Sequence, residues 1–401
     1  MARSQGRLAL LAASRPSLVL ALHLLVLLLG SNGGGVAAAL APLNAIDTVF
    51  VFGDSYSETG FEPSKGYDPL GQPAKTTSAG PSWPMYFANT TVSPALFNRT
   101  YSFARSGATA SPERVFSTYP NISMGSEVDS WQGWFVNAAT QGKKARPVWD
   151  GGKTLFVVSF GLNDLVIAMK SGLPLSTVLE PTFAEIMNQT TRLYSSGARQ
   201  FLFQLIPAFQ HSPEAQHSFP NVKNAPALVE SNARLWNARV KVFAGQVTST
   251  LEGSEVGVWD SFGFWEELLS HPQTFGFRNS TDDCPMYAPL KWKRGQSLDV
   301  SKKACGIPLR DYVWLDRAHP TFTVHKLIAE SLVEVLSHPG TSATTSLKRR
   351  NSLASPSGPG NIHLVTHHRA PIPIHRQHSG MIRQLVRRED ALHRVEGSGG
   401  R

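Results

Sequence analysis

The chain has 401 residues, 41% of them hydrophobic, and a formal net charge of +9, enough for one large domain or two ordinary ones with a sizeable core. The positive charge is not spread evenly: Arg3, Arg7 and Arg15 stand without an acid in the first forty residues, and residues 341–401 hold ten Lys/Arg against Glu389, Asp390 and Glu396. The body between is close to neutral, so a basic nucleic-acid-binding surface is not indicated and no nucleic-acid partner is expected.

Residues 1–39 read as a signal peptide: the three arginines, the apolar run 18–29, then small residues ending in Ala37-Ala38-Ala39. The run is shorter than the roughly 20 residues of a membrane span. Cleavage and secretion are therefore expected over the rival reading, an uncleaved signal anchor, with no stable membrane span after processing. Five N-x-S/T sequons, at Asn89, Asn98, Asn121, Asn188 and Asn279, all fall in the body and agree with an extracellular, glycosylated protein. Cys284 and Cys305 are the two cysteines. In an oxidising compartment they are expected to pair, the alternative being two free buried thiols.

From about residue 44 to 338, short β-rich runs alternate with helical stretches. Residues 48–52 (TVFVF) and 154–160 (TLFVVSF) are continuous apolar runs, each followed by glycine, as suits central strands buried on both faces. Residues 200–206 and 256–259 are further candidates. Helical periodicity marks 175–196, 222–243 and 321–336. Such alternation predicts a parallel sheet covered on both faces. The stretches 60–150 and 271–312 read as irregular insertions around one rim. Beyond residue 340 periodicity disappears and Ser, Pro, Gly, Arg and His dominate. We read 340–401 as a basic, solvated, disordered tail rather than a His-rich metal-binding tract.

Four motifs carry chemistry. Gly53-Asp54-Ser55 puts a serine just past a strand, at the rim where open parallel sheets bind ligands; a helix N-cap is the competing reading of Ser55. Phe103-Ala104-Arg105-Ser106-Gly107 offers a glycine whose N–H could approach a substrate oxygen. Gly161-Leu162-Asn163-Asp164 offers an uncharged amide donor in Asn163, with Asp164 read as a helix cap. Asp316-Arg317-Ala318-His319-Pro320 spaces a carboxylate and an imidazole so that Asp can hold one ring nitrogen while the other faces a nucleophile. Pro320 is expected in the first turn of the next helix. Asp260 and His325 are competitors without a motif.

In this order the motifs resemble the blocks of the GDSL/SGNH hydrolase superfamily. The stretches 50–61 (FVFGDSYSETGF), 68–73, 79–88, 102–110 and 319–332 resemble the acetylesterases of carbohydrate esterase family 16, relatives of the plant GDSL lipases. The resemblance implies a three-layer α/β/α, flavodoxin-like fold with the site at the C-terminal rim of a five-stranded parallel sheet. It implies a triad of Ser55 (nucleophile), His319 (general base) and Asp316 (orienting carboxylate), with an oxyanion hole from the Ser55 and Gly107 N–H groups and the Asn163 side chain. No cofactor and no metal are expected, and the chain is expected to act as a monomer. The implied substrate is an acetylated oligosaccharide of plant cell walls or another small ester, with Trp83, Trp131 and Trp134 as candidate sugar-stacking residues. Two alternatives remain: a lipase or phospholipase with longer acyl preference, and an inactive carbohydrate-binding relative. Ser106 stands where many relatives carry a second glycine, and the tail lies outside the resemblance.

Overall fold

A computed structural model of the chain describes residues 40–69, 75–88, 96, 99–115, 117, 119, 121–137, 147–219 and 221–338. Residues 1–39, read above as a signal peptide, the tail 340–401 and the sequons Asn89 and Asn98 lie outside the described residues.

Five strands form one sheet: β1 (Thr48–Gly53), β2 (Thr100–Ser102), β3 (Thr154–Ser159), β4 (Gln200–Gln204) and β5 (Glu255–Trp259). All neighbours pair in parallel, in the order β2-β1-β3-β4-β5. The order in which successive strands are added thus reverses at β1, and the crevice between the C-terminal ends of β1 and β3 is the switch point where such sheets bind ligands. All six residues of β1 are buried, which explains its unbroken apolar run: both of its faces meet helices.

The helices are α1 (Trp83–Phe87), α2 (Met124–Trp131), α3 (Leu162–Lys170), α4 (Leu175–Ser195), α5 (Pro213–His217), α6 (Ala225–Thr250), α7 (Ser261–Ser270) and α8 (Phe322–Ser337). Alternate side chains of a strand leave opposite faces. On one face Phe50, Phe52 and Phe156 meet Trp131 of α2, while Phe183 of α4, Trp236 and Phe243 of α6, and Phe203 of β4 form a contiguous ring cluster. On the other, Trp83 of α1, Trp265 of α7 and Ile328 of α8 converge with Tyr56 and Trp259. The result is the three-layer α/β/α arrangement.

Three expectations change. The stretch 60–150 is more than a loop: it contains α1, α2 and the edge strand β2. Trp83 and Trp131 are 2% and 0% exposed. They belong to the core, where burying their large apolar rings outweighs any role at a surface, and they are not sugar platforms. Pro320 lies before the helix: Thr321 is the N-cap of α8, and Pro320 instead bridges back to Trp314.

Cys284 and Cys305 are bonded, with Cα atoms 5.8 Å apart. Around them Tyr287, Leu309, Tyr312, Leu315 and Phe322 make a second, smaller apolar cluster. Among the described residues, no helix is long and apolar enough to cross a membrane.

Candidate active site

Ser55 stands two residues past β1, in a turn built by its neighbours. Gly53 cannot carry a side chain, since a Cβ there would lie 2.7 Å from the Ser159 carbonyl of β3. Asp54, buried, accepts the Tyr56 N–H at 3.0 Å and shapes the turn. Burial pushes the Asp54 carboxyl up to about 6, although the Tyr56 N–H and the His319 charge pull against it. Thr77 Oγ1 donates to the Ser55 carbonyl at 2.8 Å, and Trp83 Nε1 donates to Ser57 Oγ at 2.9 Å. Trp83 therefore does serve the site, from behind, as a brace for the serine turn. No helix begins at Ser55, so the N-cap reading of that serine fails.

The segment 314–320 closes on itself. Leu315 N–H donates to the His319 carbonyl at 2.8 Å, and Asp316 Oδ1 accepts the N–H groups of Ala318 and His319 at 2.9 and 2.8 Å. Held this way, the carboxylate lies 3.0 Å from His319 Nδ1 by either oxygen. The other ring nitrogen, Nε2, lies 2.9 Å from Ser55 Oγ, across 264 residues of chain. Tyr56 OH donates to the Ala318 carbonyl at 2.6 Å and ties the two loops together.

The electrostatics follow from this geometry. Burial alone would depress the His319 imidazole; the hydrogen bond and charge of Asp316, with the charges of Asp54 and Glu214, overcome it and hold its pKa above the ordinary value. Burial likewise opposes ionisation of Asp316. The His319 hydrogen bond and charge and the two backbone N–H groups outweigh it, so its pKa is lowered.

Three donors face the same cavity, about 340 Å³, whose wall includes Ser55, Gly107, Asn163, Asp316 and His319. Among the described residues, the Ser55 and Gly107 N–H groups have no protein acceptor. Gly107 has φ +81°, a left-handed conformation that favours glycine. Asn163 Nδ2 donates one proton to the Ala108 carbonyl at 2.9 Å, which orients the amide and leaves its second proton for a ligand. The apolar part of this wall is Ala288, Leu290, Leu315 and the ring of Tyr119.

The competitors resolve differently. Asp164 is not a cap: it is fully buried in the first turn of α3, and its two oxygens accept the Ala110 N–H at 3.0 and 3.2 Å. Asp260 is the cap of α7, accepting from Gly263 N–H at 2.9 Å. His325 is buried beside Tyr56, accepts at Nδ1 from the Trp83 N–H at 3.4 Å, and is neutral because burial, then the His319 charge, drive its pKa down to about 3. Trp134 is half-buried, edge-on against Tyr67, and is not part of the cavity wall, so it too lies away from the reacting atoms.

The sequence offered no signal for Glu127, Glu58 or Thr77. Glu127, 2% exposed, accepts the Gly53 N–H at 2.9 Å and the Arg105 N–H at 3.1 Å. Glu58 accepts from both the N–H and the hydroxyl of Ser106. The serine that replaces a glycine thus anchors the loop carrying Gly107.

The model of the GDSL-like lipase/acylhydrolase family matches residues 49–332. The chain is 25% identical over 315 residues to an acetylesterase of Thermothelomyces thermophilus, covering 75% of this chain and 93% of that protein. It is 25% identical over 311 residues to the thermolabile hemolysin of Vibrio parahaemolyticus, covering 74% of this chain and 65% of the hemolysin, just under two thirds of its length. Among solved structures, an acetyl xylan esterase from Geobacillus stearothermophilus matches at 13% identity with a TM-score of 0.40, covering 73% of this chain and 96% of that one.

Proposed function

The chain belongs to the GDSL-like lipase/acylhydrolase family, and from that premise we propose that it is a carboxylic ester hydrolase, a secreted serine esterase that removes acetyl groups from cell-wall oligosaccharides. The observation that carries the reading is the relay from Asp316 through His319 to Ser55, with both gaps at hydrogen-bond distance.

In this reading His319 Nε2 takes the Ser55 proton as Oγ attacks the acetyl carbonyl. Negative charge gathers on the former carbonyl oxygen, which the Ser55 and Gly107 N–H groups and Asn163 Nδ2 receive. As the tetrahedral centre collapses, the bond to the sugar oxygen breaks, and that oxygen leaves with the proton from His319. Water then attacks the acetyl-serine by the same route, releasing acetate and restoring Oγ–H. Asp316 keeps the imidazole in the tautomer that presents Nε2 to Ser55.

The few apolar side chains beside the triad, Ala288, Leu290, Leu315 and the Tyr119 ring, support a short acyl group over a long one. The leader-like residues 1–39 and the sequons support export; Asn121 and Asn188 are exposed, as acceptors must be. The test compares wild type with Ser55→Ala on an aryl acetate, an aryl octanoate and acetylated xylo-oligosaccharides, with fluorophosphonate labelling alongside. Expected are acetate preference, acetyl-sized mass losses from the oligosaccharides, labelling of wild type, and loss of all three in the variant. Octanoate preference would favour a lipase; an unlabelled wild type would point to an inactive carbohydrate-binding relative.

A further inference from the structure

The cavity at Ser55 does not end at the triad. Thr76, Thr77, Ser106, Tyr119 and Lys291 line both it and a second cleft of about 580 Å³, a size that suits small-ligand binding. Lys75, Arg105, Lys291 and Lys293 also line this second cleft. The body of the chain is close to neutral, so four cations at one rim are a local concentration rather than a general excess.

Their counter-charges are few. Glu58 is the one acid among the described residues of the cleft wall; its Oε2 accepts the Ser106 N–H and hydroxyl, which fix its position, and it leaves three of the four cations in excess. Lys75 lies 3.6 Å from Glu62, which it shares with Lys65, and its own side chain is 64% exposed, a pairing of little strength. Arg105 donates one Nη2 proton to the Phe61 carbonyl at 3.1 Å. Lys291 and Lys293 have no ion-pair partner among the described residues. Fixed cations in a concave wall focus positive potential into it. Trp292, half-buried, adds an indole face, and Thr76, Thr77 and Ser106 add hydroxyls. Tyr119 and Ile122 complete the wall; hydroxyls, aromatic rings and cations together suit a sugar that carries a carboxylate.

We propose that this cleft binds a uronate sugar of the substrate, so that the enzyme selects acetylated acidic oligosaccharides over neutral ones. The inference rests on the esterase reading above and adds the charge of the glycan.

The test uses the mature protein and two acetylated oligosaccharides of equal length, one bearing a glucuronate and the other its carboxyl-reduced counterpart. Expected is a higher kcat/KM on the acidic member, carried by KM, with the ratio falling as salt is raised. The double variant K291Q/K293Q is expected to lose roughly three- to tenfold of that ratio. Equal kcat/KM values overturn the proposal, as does a preference that survives both salt and the double variant. Faster hydrolysis of phosphatidylglycerol vesicles than of either sugar also overturns it and assigns the cations to a lipid headgroup. Wild type inactive on both sugars and on an aryl acetate would fail the esterase reading itself and take this inference with it.

Discussion

Glu127 Oε2 accepts the backbone N–H of Gly53 at 2.9 Å, although 74 residues separate them. The other carboxylate oxygen accepts the Arg105 N–H, so one buried side chain sets the spacing between the serine turn and the loop that carries Gly107. Removing it strands the buried Gly53 N–H, at about 1–3 kcal/mol, while the Arg105 N–H keeps the Gly53 carbonyl as an acceptor at 3.1 Å. Glu127→Ala is therefore expected to lower both Tm and kcat on an aryl acetate, and Glu127→Gln, which keeps one acceptor, to recover part of each. Wild-type values for the alanine variant would show that the spacing is held by other contacts.

Asn163→Ala removes one of the three donors we propose for the oxyanion while leaving the Ser55–His319 contact untouched. We expect kcat to fall on the order of 10²–10³-fold with little change in KM, the usual cost of such a donor. Steady-state kinetics on an aryl acetate decide it, and a fall below tenfold would remove Asn163 from the hole.

The base must be neutral to accept the serine proton, and the pKa of His319 is held above the ordinary 6.5, chiefly by Asp316 acting against burial. The rising limb of kcat/KM should consequently have its midpoint above 6.5 in wild type. In Asp316→Asn burial acts unopposed by that carboxylate: the residual activity should be lower by roughly 10⁴-fold, with its midpoint shifted downward. A midpoint that stays in place would mean another group sets the proton affinity of the imidazole.

Asp164 gives a stability prediction with a definite sign. Burial raises its carboxyl from 3.8 to about 7, against the Ala110 N–H, so the folded state holds a proton that the unfolded state has lost between those values. Its contribution is complete below about pH 4 and disappears as pH rises toward 7. The shift corresponds to roughly 4 kcal/mol. An amide cannot ionise, so Tm of Asp164→Asn relative to wild type should move in the variant's favour from pH 4 to pH 8. A constant difference across that range would contradict the buried, proton-holding carboxyl.

The central strands were legible because burial on two faces leaves an unbroken apolar run, as in 48–52, and the 316–319 spacing was legible because a four-residue turn is local. Strand β2 was not: three residues, Thr100–Ser102, on the sheet edge leave no periodicity to read. The tryptophans misled because an indole in a loop-like stretch has the same letter whether it stacks on a ligand or fills the core; Trp131 meets Phe50, Phe52 and Phe156. Glu127 and Glu58 look like ordinary surface acids in the sequence. Their meaning lies in backbone N–H groups brought to them only by the fold. The basic cleft was hidden for a related reason, since its cations come from three separated segments.

The disulfide between Cys284 and Cys305 encloses Ala288, Leu290, Lys291, Trp292 and Lys293, every residue that this segment lends to the two cavities. None of the atoms that would pass protons is inside that ring. Tyr287, inside the ring, packs with Leu315 and Phe322 and ties the loop to the body, so new ester preferences can evolve at the exposed positions of the loop, such as Lys291 and Lys293, while its packed residues stay fixed.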